Sequence, residues 1–223
     1  MSFLQIKPKN RKTLLSKLEK VNITQEELVL SQPIWVRIFH WGFALSIIGI
    51  LLTGFELHRP ARFLALNYGN VFIVHLTFTW LALGFVAIRI TDALVRHDKS
   101  LIPKTRDFKG FLRLLSYYFF RRSTPPPSEK YNSGQKLVFF SWFILFILAS
   151  IFGFASYWQG ENGTWIIIRA VNGLQMVRWS KFVISIYFTA TIPLHIYLSF
   201  TEDLSKLQAM VTGYERKNPK LDH

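Results

Sequence analysis

The chain has 223 residues, no cysteine and a formal net charge of +14. The lack of thiols excludes iron–sulfur clusters held on cysteines, covalent haem attachment through a C-x-x-C-H motif, disulfides and thiol nucleophiles. The positive charge alternates along the chain with apolar runs, so it does not form the single basic patch of a nucleic-acid-binding protein.

The first 33 residues are polar and basic and precede the first apolar run. Within them, residues 11–21 place leucine and valine on one helical face and lysine on another, which predicts a helix lying on the membrane surface or on a partner. A solvated, mobile tail is the alternative for this segment. Thr24 and Glu27 have the spacing of a capping box, which predicts a short helix over residues 25–31.

Four apolar runs are long enough to cross a bilayer, which requires about 20 mostly apolar residues in a helix. We therefore predict an all-α membrane protein whose membrane domain, residues 34–203, is a four-transmembrane-helix bundle. The predicted membrane spans are residues 34–55, 71–91, 136–158 and 178–200.

The distribution of lysine and arginine predicts how these spans are oriented. Basic residues collect on the cytoplasmic side of membrane helices. Here they are dense in residues 1–33 and in the connection from 96 to 136, and sparse in the other two connections. Both termini are therefore predicted to be cytoplasmic, with residues 1–33 as a basic extension and residues 204–223 as a tail.

Two further segments have the pattern of interfacial amphipathic helices. Residues 107–122 carry apolar side chains at helical spacing between lysines and arginines. The sequence WIII at 165–168, in the third connection, predicts a short helix in the interface. The third span contains no histidine, and its predicted role is packing alone.

Three of the six histidines lie inside predicted spans, where ionisable side chains are rare and by default mark a function. His40 and His195 are each about five or six residues from the inner end of the first and last spans, hence roughly 8–9 Å deep. Since haem iron takes histidine ligands, this equal depth predicts one haem held between the two spans. The alternative is that each histidine only hydrogen-bonds to a neighbour.

Other residues near this pair have predicted supporting roles. Arg37, one turn before His40, is a candidate contact for a haem propionate, or else an ordinary interfacial charge. Pro193 is expected to bend the fourth span near His195. Thr189 and Thr191 are expected to satisfy the backbone carbonyl that Pro193 leaves without a donor.

His75 lies near the outer end of the second span, too far from the inner pair to share its haem. A second ligand from the fourth span would have to lie about 21 Å before His195 on nearly the same face, and Lys181 is found there. Lys181 either extends its amine to the outer interface or binds iron. His58, in the predicted external loop, is the other candidate substitute ligand.

Five segments of the chain together resemble a known family. They are VRIFHWGFALSIIGILLTGF (36–55), VFIVH…AIRI (71–90), YNSGQKLVFF (131–140), PLHIYLSFTED (193–203) and AMVTGYER (209–216). They resemble the four-helix cytochrome b subunits that anchor nickel–iron hydrogenases, which are related to the membrane subunits of formate dehydrogenases.

The resemblance implies two b-type haems bound by four helices. It makes His40 and His195 the axial ligands of the inner haem iron and gives His75 to the outer one. The family's fourth ligand falls in a V-R-x-x-H pattern, which here ends in Lys181 (177–181). The outer haem is therefore either absent, held by His75 alone, or completed by Lys181 or His58.

The resemblance also implies a function. Such a subunit, in the bacterial inner membrane among its lipids, moves electrons between an external iron–sulfur or cytochrome partner, possibly hydrogenase-like, and the quinone pool. It works within an oxidoreductase complex and is not a stand-alone enzyme; the connections at 56–70 and 159–180 are the expected docking surface. The alternatives are a structural membrane anchor with one haem or none, and a small proton-coupled transporter.

Overall fold

A computed structural model describes residues 27–58, 64, 66–124, 131–159, 161–201 and 204–217. It consists of seven helices and two short strands in the described ranges. In chain order these are β1 (Glu27–Leu30), α1 (Ile34–His58), α2 (Tyr68–Val95), α3 (Thr105–Tyr118), α4 (Ser133–Trp158), α5 (Trp165–Ala170), α6 (Leu174–Thr201), α7 (Leu204–Thr212) and β2 (Tyr214–Lys217).

Four of these helices, α1, α2, α4 and α6, are long and apolar enough to cross a membrane. They confirm the predicted class, an all-α membrane helix bundle, and each is longer than the apolar run that predicted it. Polar caps explain two of the starts. Asn67 accepts the amide of Asn70 ahead of α2, and Asn132 and Gln135 form a reciprocal capping box at α4.

Helix α1 continues to His58, three residues beyond the predicted end of the first span. His58 is therefore the last residue of a helix and does not belong to the external loop in which the sequence placed it. Likewise, the predicted helix at 107–122 is α3, which ends at Tyr118. Phe120 then adopts a left-handed φ of 55°, and the amide of Arg121 closes the helix on the carbonyl of Ser116 at 2.9 Å.

Pro193 lies inside α6, and the helix continues through it to Thr201. The hydroxyl of Thr189 donates to the Ser185 carbonyl, and that of Thr191 donates to the Tyr187 carbonyl, each at 2.8 Å. The prediction that they satisfy the carbonyl freed by Pro193 was wrong. A helical threonine reaches the carbonyl one turn before itself, and the freed carbonyl belongs to Thr189, which neither hydroxyl can reach in that way.

The core lies between the four long helices and is built from aliphatic and aromatic side chains of all four. Its buried members are Ile47, Ala82, Val86, Phe146, Phe152, Val177, Ile184 and Phe188. Glycines of α1 leave room for aromatic rings of α2, as small residues do at many helix contacts in membranes. A Cβ at Gly49 would overlap the ring of Phe78, and a Cβ at Gly42 would overlap the ring of Phe85.

The chain divides into two compact units, one from residues 38–198 and one from the two ends of the chain, 1–37 and 199–223. In the described part of the terminal unit, β1 pairs antiparallel with β2, with Glu27 opposite Lys217 and Leu30 opposite Tyr214. The helix predicted over residues 25–31 is therefore wrong for residues 27–30. Its partner strand lies at the other end of the chain, where local spacing gives no information. The helix predicted over residues 11–21 lies outside the described residues.

Candidate functional site

His40 of α1 and His195 of α6 lie side by side. Their ring centres are 6.4 Å apart and their planes are inclined at 62°. Both rings are partly buried within the helical unit. The structure thus brings together the two histidines that the sequence placed at equal depth on its first and last spans.

The two imidazoles fit a metal between them. With metal–nitrogen bonds of about 2 Å on either side and the distance from each nitrogen to its ring centre added, the centres would be roughly 6 Å apart. Nδ1 of His40 is also buried and lacks a hydrogen-bond partner in the described ranges. Two histidines on different helices can supply both axial ligands of a b-type haem, so the residues present suit this group.

Helix α4 supplies an aromatic wall around His195. The rings of Phe139 and Trp142 meet the imidazole edge-on, with centres 5.3 Å and 5.5 Å away. The indole Nε1 of Trp142 donates to the Thr191 hydroxyl at 2.8 Å, and that hydroxyl donates to the Tyr187 carbonyl. Trp142 therefore contacts α6 at two positions one turn apart.

Sequence reasoning missed this role because it assigned the third span only to packing. A signal was present in the tryptophan itself, since a buried indole N–H needs an acceptor. In an apolar span that acceptor must come from a neighbouring helix or from the backbone. What the sequence alone could not supply was the rotation of α4 that turns Trp142 towards His195.

His75 lies in a separate environment on α2. Its Nδ1 is 2.9 Å from the hydroxyl oxygen of Thr53 on α1. The same hydroxyl lies 2.6 Å from the Gly49 carbonyl, to which it can donate its single proton. With that proton on Gly49, the hydroxyl accepts a hydrogen bond from Nδ1, and Nε2 is then the unprotonated nitrogen, the form that binds metals. A Cβ at Gly54 would be 3.4 Å from the ring.

Lys181 lies on α6, partly buried and close enough to His75 for their charges to interact. His58, exposed at the end of α1, stacks on Phe182 with ring centres 4.8 Å apart. The structure thus places both candidate substitute ligands at the same end of α6. Among the described residues, no second partly buried imidazole lies there with His75, whereas His40 and His195 form such a pair.

Arg37 belongs to the terminal unit, where its guanidinium donates to the backbone carbonyl of Val211. Its Nε is buried and has no hydrogen-bond partner among the described residues. The propionate contact remains a prediction. His97 is exposed beyond α2, with a left-handed φ of 51°.

Ion pairs are concentrated where α2 ends. Arg89 pairs with Asp98 at 2.9 Å, and Arg96 pairs with Asp92 at 2.6 Å. Burial alone would raise the pKa of Asp98, but hydrogen bonds from Ser100 and Arg89 outweigh it and lower that pKa to about 2. These pairs hold the chain where it leaves the second span.

Comparison with known proteins agrees with this geometry. The sequence model of the prokaryotic cytochrome b561 family matches residues 31–213, which include all four long helices. A protein of Cupriavidus necator, named a probable Ni/Fe-hydrogenase B-type cytochrome subunit, is 26% identical over 208 residues. The match covers 80% of this chain and 83% of the relative. The chain belongs to the prokaryotic cytochrome b561 family, and it is a multi-pass b-type cytochrome of electron transport in the bacterial inner membrane.

Proposed function

We propose that the chain holds one haem b between His40 and His195 and passes electrons between an external redox partner and the quinone pool. The observation that carries the proposal is the 6.4 Å separation of the two rings. When bound, haem b supplies a one-electron carrier within the membrane. The protein contributes the position of this group, its axial ligands and an apolar environment.

The residues of the chain have distinct parts in this arrangement. His40 and His195 provide the two ligating nitrogens from helices far apart in the sequence. Phe139 and Trp142 pack edge-on against the His195 ring and cover one side of it. Reduction of quinone also requires protons, which we expect to be taken up at the inner face, where both termini are proposed to lie.

The partner is proposed to be a hydrogenase-like complex with its own iron–sulfur clusters. The name of the Cupriavidus necator relative supports the hydrogenase. The absence of cysteine supports clusters on another chain, since this one has no thiolate ligands. We propose that the partner docks on the connections at 56–70 and 159–180.

A second candidate function is a structural anchor, and Lys181 favours it. The family pattern has histidine at this position, so loss of the outer haem would lengthen the path to the partner. If the chain transfers electrons with one haem, its partner needs a cofactor of its own close to the membrane surface. If the chain is a structural anchor, it holds the complex in the membrane and carries no electrons.

Haem content tests whether the chain holds a haem at His40 and His195. A pyridine haemochrome assay with protein quantitation on the purified chain should give about one haem per chain. We expect His195→Ala and His40→Ala each to abolish the visible absorbance of this haem without preventing membrane insertion. His97→Ala, a surface substitution, is the matched control and should keep it. No haem in the wild-type chain would refute the proposal.

Quinone reactivity distinguishes conduit from anchor. The haem of the purified wild-type chain, chemically reduced, should be oxidised when a soluble quinone is added. A quinol should conversely reduce the oxidised form. A chain that holds one haem but exchanges no electrons with either reagent would be an anchor.

A further inference from the structure

Helix α3 presents three distinct faces, which follow from a turn of about 100° per residue. Asp107, Gly110 and Leu114 share the face directed at α4. Phe108 and Leu112 share a second face, about 150° away, and Lys109 and Arg113 share the third, about 100° from the second. The helix connects two membrane spans, so its environment includes the surface of the bilayer.

Contacts with α4 fix the rotation of α3 about its own axis. The carboxylate of Asp107 is 3.6 Å from the Lys136 ammonium, and both side chains are about 95% buried. The hydroxyl of Ser133 donates to the same carboxylate at 3.3 Å. Gly110 packs so closely on Ser133 that a Cβ there would overlap its hydroxyl. The other two faces of α3 are therefore held in fixed directions.

The second face is apolar and exposed. Phe108 is 60% exposed and Leu112 is 64% exposed. The end of the helix continues this apolar surface, with Phe119 at 72% and Phe120 at 96%. Large apolar side chains at such exposure are stable beside lipid acyl chains, whereas water would disfavour them.

The third face carries unneutralised positive charge. Lys109 and Arg113 are exposed, and neither forms an ion pair within the described part of the chain. Arg121 and Arg122, also exposed, follow directly after the two exposed phenylalanines. An apolar face beside a basic face matches a leaflet in which acyl chains lie beneath anionic phosphates.

We propose that α3 is a binding surface for anionic phospholipid, with Lys109 and Arg113 on the headgroup phosphate and Phe108 and Leu112 among the acyl chains. Arginine suits this position because its planar guanidinium donates two parallel hydrogen bonds to a phosphate. The proposal does not depend on haem ligation, since α3 contributes no residue to the His40–His195 pair.

The test measures the melting temperature of the full chain in neutral detergent. Added phosphatidylglycerol should raise it by several degrees, as any ligand of the folded state does, and phosphatidylcholine should have a smaller effect. In Lys109→Gln/Arg113→Gln, the rise with phosphatidylglycerol should fall by roughly half or more. The control Lys99→Gln/Arg169→Gln removes the same charge from exposed positions elsewhere and should respond like the wild type.

Equal rises with the two lipids, or equal losses in the two double variants, would overturn the proposal. So would a rise of the same size with inorganic phosphate alone, because the acyl chains would then contribute nothing. Native mass spectrometry of the wild-type chain gives a reading that does not depend on variant folding. It should find more phosphatidylglycerol than phosphatidylcholine retained from an equal mixture, and equal retention would also refute the proposal.

Discussion

The hydroxyl of Thr53 contacts both the Gly49 carbonyl and Nδ1 of His75. When the hydroxyl donates to Gly49, it accepts a hydrogen bond from Nδ1, and Nε2 of His75 is then the nitrogen that can bind a ligand. The sequence showed His75 clearly, because an ionisable side chain stands out in an apolar run. Thr53 carried no such signal, since threonine is common in membrane helices and its partner depends on how α1 and α2 are rotated.

Replacing Thr53 by valine should destabilise the fold by about 1–3 kcal/mol, because Nδ1 of His75 would lose the hydroxyl that it contacts in a largely buried site. Thr53→Ser keeps the hydroxyl and should cost much less. The free energy of unfolding in mild detergent, measured for both variants, checks this. Equal losses would mean that the methyl group of Thr53 matters and its hydroxyl does not.

Gly49 matters because it has no side chain, which leaves room for the Phe78 ring. Gly49→Ala should cost about 1–3 kcal/mol, since the added methyl group must displace the Phe78 ring and separate α1 from α2. Gly84→Ala is the matched control, because no atom lies within 4 Å of a Cβ there. It should be neutral or stabilise its helix by up to about 1 kcal/mol. Thermal unfolding of the two variants under the same conditions provides the comparison.

At the scale of elements, the membrane spans were predictable, since a run of about 20 apolar residues is sufficient to identify one. The ends of the spans were harder to predict, as the extension of α1 to His58 shows. The contact of α4 with His195 was not predicted from the apolar composition of that span. Strand β1 was beyond reach, because four residues carry little pattern of their own and their partner β2 lies at the opposite end of the chain.

Trp142 links α4 to α6, and we expect it to act as a positioning residue for His195. Trp142→Phe keeps an aromatic ring but loses the hydrogen bond to Thr191, which is worth about 1 kcal/mol. The imidazole of His195 should then be free to rotate. The EPR signal of oxidised low-spin haem is sensitive to the angle between its axial rings and should shift. Thr191→Val should produce a similar shift, whereas Trp80→Phe, at an exposed tryptophan of α2, should not. An unchanged spectrum in Trp142→Phe would remove this role.

The packing of α3 on α4 should become less stable at acidic pH. The backbone amide of Lys104 and the ammonium of Lys136 lower the pKa of Asp107 in the folded protein, against the opposing effect of burial. A depressed carboxyl pKa adds stability that is complete above the pKa of an unfolded aspartate. That stability is lost as the pH falls towards the folded value.

Asp107→Asn should remove this pH dependence and destabilise the fold, because the buried Lys136 loses its ion pair with Asp107. The double variant Asp107→Leu/Lys136→Met replaces both charges by apolar groups and should recover much of that loss. Unfolding measured between neutral and acidic pH tests both expectations. A single variant whose stability follows pH as the wild type does would exclude Asp107 as the source.

On the scale of the whole molecule, the two histidine sites differ in completeness. His40 and His195 were recognisable from the sequence by their equal depth, and the folded chain brings their rings to 6.4 Å. Nδ1 of His75 is 2.9 Å from the Thr53 hydroxyl, and the fourth span has Lys181 at the position where the family resemblance implies histidine. We therefore expect His75 to lack an opposing histidine ligand.

Lys181→His should complete that second site. Because Thr53 already orients His75, one added imidazole on α6 should raise the haem content from about one to about two per chain. Lys181→Met, similar in length but without an amine, should leave it near one, and Lys181→His/His75→Ala should return it to one. A content of two in the wild-type chain that falls to one in Lys181→Met would instead make the lysine amine a ligand. In a redox titration, a haem at His75 should appear as a separate transition. That transition should remain in His195→Ala, in which the haem at His40 and His195 is lost.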